Sequence, residues 1–294
     1  MDYQPNHEGM IWFVRKVRPL RISRPADFPT LDLSPPSDSE LEQLFRQKYG
    51  SLAETGWSPR QRHRFRYFLP ADVYEALLTR LIVPGCEWLD VGGGHHIFPD
   101  NPKLSQALAD RASLVVAVDP SDNVLRNPYA HERERCLLEE YRTERVFDVA
   151  TLRMVAEHVA DPPRLARALR ALVRPNGLVV ILTVNKRSPL TLLSGAIPFK
   201  WHHPIKQVFW GGAEEDTFPV AYKMNSKAVL KRILEENGFQ EVAFWYLDDL
   251  SALGRFRIGG YLELVAWRTL RALGLRYPEN CLLGVYRRSA EDPS

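Results

Sequence analysis

Short apolar runs alternate with amphipathic segments through the middle of the chain. Four runs are apolar at consecutive positions. They are CEWLDV (86–91), SLVVAVD (113–119), VFDVATLR (146–153) and LVVILTV (178–184). The segments 101–112 and 162–173 instead repeat apolar side chains at helical spacing. Strands that are apolar on both faces, alternating with helices, are typical of a parallel sheet covered on both sides. We therefore predict a doubly wound, Rossmann-like α/β core over 71–187.

Weaker patterns complete the predicted elements. The run RCLLEEY (135–141) predicts a further strand, and Pro175-Asn176-Gly177 predicts the stop between the helix over 162–173 and the next strand. Helices are predicted from a cap at 37–39 to residue 50, from residue 70 or 71 to 81, from a cap at Asn225 or Ser226 to a stop at Gly238, and over 260–275. Two more strands are predicted at 239–247 and 281–288. The fold is then a seven-stranded, mostly parallel sheet with a terminal antiparallel strand.

The same patterns predict four parts along the chain. Residues 1–70 form a proline-rich arm followed by helices, and 71–187 form the core. Residues 188–225 have no clean period and are rich in aromatic side chains, so they are predicted to be an insertion. Residues 226–294 complete the core and add one helix.

Composition places this core in a soluble, cytoplasmic protein. Of 294 residues, 45% are hydrophobic, yet the apolar stretch 178–184 is too short to cross a bilayer and the N-terminus does not resemble a signal peptide. Cys86, Cys136 and Cys281 are far apart and are expected to be free thiols. The net charge of +3 is too small to indicate nucleic acid as a partner. The arginine-rich stretch 58–68 is interpreted as a solvated helical face, with contact to phosphate or carboxylate groups as the alternative.

Polar residues and glycines follow the first two strands of the core. Asp90 and Gly92–Gly94 end the first strand, and Asp119 followed by Pro120 ends the second. Ligands of open parallel sheets bind beyond the carboxyl ends of the strands, where strand order reverses. Glycine there lets a ligand approach the backbone, and a carboxylate can accept two hydrogen bonds from a ribose diol. The pattern indicates a cofactor that contains a nucleoside. A dinucleotide loop would need a third glycine where Ile97 stands.

Four stretches in order resemble the class I S-adenosylmethionine-dependent methyltransferases. They are EWLDVGGGH, VVAVDPS, FDVATLRMVAEHVADP and LARALRALVRPNGLVVILTVN, and VLKRILEENGFQEVAFWY resembles the last helix and sixth strand of the family. The resemblance implies S-adenosylmethionine as the cofactor. It also implies that Asp90 and Gly92, Gly93 and Gly94 surround the methionine part and that Asp119, with Pro120, holds the ribose.

The resemblance implies roles for residues after the third and fourth strands as well. Glu139 or Glu140 would lie near the adenine, and Arg153 and Met154 would close the pocket beside the sulfonium. The first motif of the family usually has a third alternate glycine, and this chain has His96 there. The segment 97–101 also looks like an insertion.

Three histidines are candidates for a catalytic base, which is needed only if the acceptor atom carries a proton. His158 follows the fourth strand, and His202 and His203 lie in the insertion. Each histidine also has a non-catalytic interpretation. His158 could pack or cap a helix, and His202 and His203 could lie on the surface of a loop. The adjacent His95 and His96 point in different directions in an extended chain. Some quinone-pathway relatives are thought to bind a metal through an acid–x–x–acid–His run, but Met154 takes the place of the first acid, so we predict no metal ligands.

The insertion lies where the family builds its acceptor pocket. Its aromatic residues predict a small, aromatic acceptor, with oxygen as the default methylated atom and carbon or nitrogen as alternatives. Three rival functions remain open at this point: methylation of RNA, cofactor binding without catalysis, and nicotinamide-dependent oxidation. The helix over 260–275 is apolar enough to pair two subunits in a homodimer, or to extend the pocket.

Overall fold

The computed structural model describes residues 31–189, 220–250, 253–254 and 256–290. Its helices are α1 (Asp38–Tyr49), α2 (Trp57–Phe65), α3 (Pro70–Leu81), α4 (Pro102–Arg111), α5 (Pro162–Leu172), α6 (Lys227–Glu235) and α7 (Arg257–Ala272). Its strands are β1 (Glu87–Val91), β2 (Leu114–Val118), β3 (Glu132–Glu134), β4 (Phe147–Arg153), β5 (Val173–Val184), β6 (Phe239–Leu247) and β7 (Cys281–Arg288).

All seven strands form one sheet in the order β3-β2-β1-β4-β5-β7-β6. The first five strands pair in parallel, and β7 pairs antiparallel with both β5 and β6. Strand order reverses between β1 and β4, since the chain first builds outward to β3 and then returns beside β1. The predicted doubly wound fold, with its antiparallel strand near the C-terminus, is confirmed.

The sheet carries a separate apolar layer on each face, because consecutive residues of its strands point to opposite sides. One layer contains Trp88 and packs under α3 and α4. The other contains Leu89 and packs under α5 and α6. Both side chains are fully buried, which explains why the strands are apolar at consecutive positions instead of alternating.

The predicted third strand at 135–141 is wrong. The strand lies earlier, at Glu132–Glu134, and Leu138–Glu140 form a short 3₁₀ helix that buries Leu138. β3 is polar because it is an edge strand and pairs only with β2. The apolar residues of RCLLEEY belong to the turn that packs against the core.

The helix stop at Pro175-Asn176-Gly177 is also misplaced. Helix α5 ends at Leu172, and β5 begins at once with Val173, which pairs with Phe147. The register then shifts, so that the Pro-Asn-Gly segment forms a bulge within β5, with Asn176 at a φ of 64°. A bulge and a turn share the same residues, so the pattern did not separate them.

The N-terminal helices are attached to the core through a buried ion cluster. Lys48 at the end of α1 lies 3.0 Å from Asp72 and 3.2 Å from Glu75, both on α3, and all three side chains are at most 5% exposed. Glu75 also accepts a hydrogen bond of 2.8 Å from Asn101, whose own side chain caps α4 by accepting from the Leu104 amide. The cluster therefore joins α1 and α3 to the start of the helix that follows the glycine loop.

Candidate functional site

The carboxyl ends of β1, β2 and β4 lie side by side, because β1 pairs in parallel with both other strands. Asp90 pairs in register with Ala117 of β2 and with Thr151 of β4. The residues that follow these strands consequently meet at one edge of the sheet, at the point where the strand order reverses. This is the place at which open α/β sheets bind ligands.

Gly92 is the glycine that the loop after β1 requires most. It has a φ of +72°, a conformation that residues with a Cβ rarely adopt. A Cβ at this position would also lie 2.2 Å from Cγ2 of Val155, which follows β4. The Gly92 amide donates a 2.8 Å hydrogen bond to the Val118 carbonyl and so ties the loop to β2. The loop can take this path only because the side chain is missing.

Asp90 is a buried carboxyl group with one partner. Its Oδ1 accepts a 2.7 Å hydrogen bond from the Thr151 hydroxyl, which in turn accepts one of 2.8 Å from the Trp88 indole. Within the described part of the chain, Oδ2 is buried and has no hydrogen-bond partner. Burial raises the pKa of Asp90 to about 7, against the opposing effects of the Thr151 hydrogen bond and the charge of Arg153.

Asp119 is anchored at the end of β2 by backbone amides. Its Oδ2 accepts a 3.1 Å hydrogen bond from the Gly94 amide, and its Oδ1 accepts one of 2.7 Å from the Ser121 amide. The fully buried Asn127 donates from Nδ2 to the Gly93 carbonyl at 3.1 Å. The glycine loop and the carboxylate after β2 therefore form one hydrogen-bonded unit. Pro120 follows it and is exposed.

Arg153 and Met154 lie at the end of β4, beside Asp90. The charge of Arg153 lowers the pKa of both Asp90 and Glu157, although burial raises each of them overall. Met154 has a φ of 55° and is 38% exposed, and its amide donates a 2.7 Å hydrogen bond to the Leu182 carbonyl. A thioether side chain is thus held out of the core, next to the buried acids.

Glu157 is a third buried acid at this edge of the sheet, after Asp90 and Asp119. Its Oε2 accepts a 2.7 Å hydrogen bond from the Thr183 hydroxyl, and Asn225 donates to that same hydroxyl at 2.7 Å. The Glu157 carbonyl accepts from the amides of Ala221 and Tyr222, at 2.7 and 3.0 Å. Glu157 therefore fastens the start of the segment 220–225 to the ends of β4 and β5. Burial raises the pKa of its carboxyl group.

The remaining candidate residues from the sequence either lie near Asp90, Asp119 and Glu157 or fall outside the residues that the structure describes. His158 is half-buried next to Glu157, and its amide bonds to the Val155 carbonyl at 2.9 Å. Glu139 is half-buried and Glu140 exposed, both in the 3₁₀ helix beyond β3. His202 and His203, together with most of the insertion over 188–225, lie outside the described residues.

The His96 side chain does not fill the space beside the glycine loop. His95 and His96 are both exposed, and their rings stack with centroids 4.5 Å apart and planes 19° apart. A Cβ on Gly94 would meet only Asp119 Oδ2, at 4.0 Å, so the space beside the loop is open. Ile97 and Phe98, by contrast, are buried in the core. The apparent insertion at 97–101 adds apolar side chains to the core and the Asn101 cap.

Cation-binding clusters are lacking in the part of the chain that the structure describes: no three His, Cys, Asp or Glu side chains are arranged to hold a metal ion. Cys86, Cys136 and Cys281 are free thiols. No described helix has the length and hydropathy needed to cross a membrane.

Four polar residues of the site were not identified from the sequence: Asn127, Thr151, Thr183 and Asn225. Thr151 and Thr183 are each the only hydroxyl within an apolar run, and that isolation was the signal for them. Asn127 carried no local signal and Asn225 was predicted only as a possible helix cap, since their roles in the site depend on the loops that pack against them. Sequence reasoning identified the charged groups at the strand ends but not the neutral groups that hold them.

Comparisons with known proteins agree with this geometry. A family profile described as a methyltransferase domain matches residues 53–243. A ubiquinone biosynthesis O-methyltransferase of Coxiella burnetii is 25% identical over 160 residues, which are 51% of this chain and 66% of that protein. The enzyme of the same name from Xanthomonas campestris is 26% identical over 160 residues, 51% of this chain and 64% of that protein.

The fold is shared with solved structures. One of them is a chain in the complex of the Haloferax volcanii Trm112 methyltransferase activator with a methyltransferase, and it is 13% identical with a TM-score of 0.51 over 81% of this chain and 96% of its own length. The chain spans slightly less than two thirds of the length of the curated relatives that it matches. Because the methyltransferase profile covers more than half of the sequence, from the N-terminal helices to β6, this chain belongs to the class I S-adenosylmethionine-dependent methyltransferase family.

Proposed function

We propose that this protein transfers a methyl group from S-adenosylmethionine to an oxygen atom of a small, aromatic acceptor. The observation that carries the proposal is the hydrogen-bonded unit of Asp119 and the glycine loop, next to the partly unpaired Asp90. It offers one carboxylate at the end of β2 and an open strip of backbone at Gly94, at the edge where such sheets bind ligands.

These residues fit the proposed cofactor. The unpartnered Oδ2 of Asp90 is a buried acceptor close to the loop, and an ammonium group would supply the donor that it lacks. Asp119 is fixed by two amides and would accept hydrogen bonds from a ribose diol, beside Pro120. Glu139 or Glu140 would lie toward the adenine, and Arg153 and Met154 beside the sulfonium. When bound, the cofactor supplies a methyl group on a positively charged sulfur, which is already a good leaving group.

The protein's own contribution is then alignment and, for a hydroxyl acceptor, removal of a proton. We propose His158 as the group that receives this proton, with His202 and His203 as further candidates. Glu157 supports His158 because its carboxyl group is anchored by Thr183 and lies close enough for the charge of His158 to lower its pKa. The buried Glu157 is thus a positioning residue.

An oxygen acceptor is supported by the relatives, two of which are named ubiquinone biosynthesis O-methyltransferases. These names specify oxygen as the methylated atom, and together with the aromatic residues of the insertion they lead us to propose a phenolic hydroxyl as the acceptor. We propose that the segment 188–225, with its six aromatic residues between 199 and 222, covers the acceptor, and that the enzyme acts in the cytoplasm.

Calorimetry with S-adenosylhomocysteine tests the cofactor assignment. We expect binding that weakens at least about tenfold in Asp119→Asn, since a ribose diol would lose a charged acceptor. Asp122→Asn is the matched control, because Asp122 is 66% exposed and its ion pair is with Arg135 on the surface. Equal affinity in both variants, or binding of NADH instead, would contradict the assignment.

Mass spectrometry of reactions with a panel of catechols and other phenols then tests the chemistry. We expect a mass gain of one methylene in the acceptor, and a lower rate in His158→Ala that a higher pH restores in part. Binding of S-adenosylhomocysteine without turnover of any acceptor would favour the binding-only alternative. Salt-dependent methylation of RNA would favour the nucleic-acid alternative.

A further inference from the structure

Helix α7 presents an apolar strip to solvent. Ile258 is 77% exposed and Leu262 58%, and Val265 follows one turn later at 37%. These positions share one side of the helix, opposite the buried Leu264 and Trp267. Among the described residues, eight of the fourteen exposed large apolar side chains lie between 253 and 275. Helix α7 and its flanks therefore carry most of the exposed large apolar side chains among the described residues.

The charges within this segment are almost all of one sign, although Arg276 lies 3.9 Å from Glu279 and Asp248 accepts a hydrogen bond from the Trp267 indole. The sequence from 253 to 276 contains five arginines and a single acid, Glu263. Glu263 is buried, and it accepts hydrogen bonds from the Leu253 amide at 3.1 Å and the Tyr277 hydroxyl at 2.8 Å. Its carboxyl group therefore faces the core, and α7 shows solvent only apolar and basic side chains along with neutral polar ones.

Helix α2 extends the basic surface on one side of the strip. Tyr261 lies against Trp57 and Phe65 of α2, with ring centroids 6.5 and 5.7 Å apart, and the Arg268 guanidinium lies over the Phe65 ring. Residues 57–66 contain four arginines and no acid, and Arg64 beside Phe65 is exposed. The arginine-rich stretch noted in the sequence is thus placed next to the apolar strip.

A second copy of this chain is a poor occupant for the strip. Two copies paired through α7 would bring their arginines together, with no exposed acid on either helix to neutralise them. Helix α7, which carries the strip, is also a convex ridge of about 24 Å, the length of 16 residues at 1.5 Å each, rather than a groove. A flat, deformable and negatively charged surface fits both its shape and its charge.

We propose that α7, flanked by α2, is the face by which this protein binds the surface of a membrane rich in anionic lipids. An amphipathic helix with apolar residues on one face and arginines beside it lies in the plane of the interface, where apolar burial and attraction to anionic headgroups both contribute. The proposal is independent of the cofactor site, since none of its residues belongs to that site.

Sedimentation with vesicles tests the proposal on the full chain. We expect binding to vesicles of equal parts phosphatidylcholine and phosphatidylglycerol, and at least about tenfold weaker binding to phosphatidylcholine alone or at high salt. Leu262→Glu should weaken binding to the anionic vesicles at least about tenfold, because it places a charge in the apolar strip. Leu125→Glu is the matched control: Leu125 is 54% exposed, far from α7 in the sequence, and its substitution should leave binding unchanged.

Three results would overturn the proposal. Binding by Leu262→Glu equal to that of the parent protein would show that the strip does not contact lipid. A concentration-dependent dimer in analytical ultracentrifugation that Leu262→Glu abolishes would make the second copy the occupant. Failure to bind either vesicle would leave an acidic protein surface as the partner that fits the charges. Circular dichroism melting of both variants establishes that each is folded, since both positions are exposed.

Discussion

Gly92 is under two separate constraints, and they can be tested separately. We expect Gly92→Ala to destabilise the protein by about 1–2 kcal/mol for its positive φ, and by a further 1–3 kcal/mol for the contact with Val155. Gly85→Ala is the matched control, because Gly85 has a φ of +81° but no atom within 4 Å of its would-be Cβ. Urea unfolding of both variants measures the difference.

The part of the destabilisation that comes from the contact with Val155 should depend on the size of that side chain. Replacing Val155 by Ala removes the Cγ2 atom that a Cβ at Gly92 would meet, so the double variant should recover part of the loss in a double-mutant cycle. Equal costs for Gly92→Ala and Gly85→Ala would show that the loop moves aside and that the close approach of Val155 is not a constraint.

Asp90 makes stability depend on pH. Its pKa is about 7 in the folded protein and its ordinary value is 3.8, so between these values the folded state holds a proton that the unfolded state releases. The contribution of Asp90 to stability is therefore full below about pH 4 and is lost as the pH rises through 7. We expect the stability of the parent protein to fall relative to that of Asp90→Asn over this range, by an amount on the order of 4 kcal/mol.

Urea unfolding of the parent and Asp90→Asn at several pH values between 4 and 8 measures this difference. The other titrating groups are common to both proteins, so their contributions cancel in the comparison. A difference that does not change with pH would mean that the Asp90 carboxyl group stays ionised in the folded state.

At the scale of elements, the ion cluster of Lys48 decides how α1 attaches to the core. We expect Lys48→Met to destabilise the protein by about 3–5 kcal/mol, since Asp72 and Glu75 would remain buried without their cation. Arg46→Ala is the control on the same helix: Arg46 is 73% exposed and pairs with Glu42 one turn away, so its loss should cost no more than about 0.5 kcal/mol. Thermal unfolding measures both.

The Lys48 prediction has a second readout at the glycine loop. Glu75 is bound to Asn101, the cap of α4, so the affinity for S-adenosylhomocysteine should fall in Lys48→Met more than in Arg46→Ala. An unchanged affinity together with lost stability would confine the role of the cluster to docking α1.

The elements that the sequence predicted well are those whose pattern is set by burial alone. Strands β1, β2 and β4 and helix α5 were placed within a residue or two because their apolar positions follow directly from facing the core. β3 was misplaced because an edge strand needs no apolar run. The start of β5 was missed because the Pro-Asn-Gly bulge depends on pairing with β4, which lies far away in the sequence.

At the scale of the molecule, the fold class was predictable and the details of the site only in part. Strands that are apolar on both faces allow few architectures, and the acids at the carboxyl ends of β1 and β2 indicate where the strand order reverses. The hydrogen bond from Gly94 to Asp119 and the tie from Glu157 to segment 220–225 arise from packing between distant parts of the chain, which no local pattern records.

The position of β7 bears on the order in which the molecule assembles as it is synthesised. β6 is made before β7, yet it joins the sheet only through β7, which lies between it and β5. Until the ribosome has released residues 281–288, the growing chain has an unpaired β5 edge and a β6 without a neighbour. The five parallel strands can form first, and the last two must then dock together. Chaperones that shield exposed strand edges would act on the nascent protein in this interval.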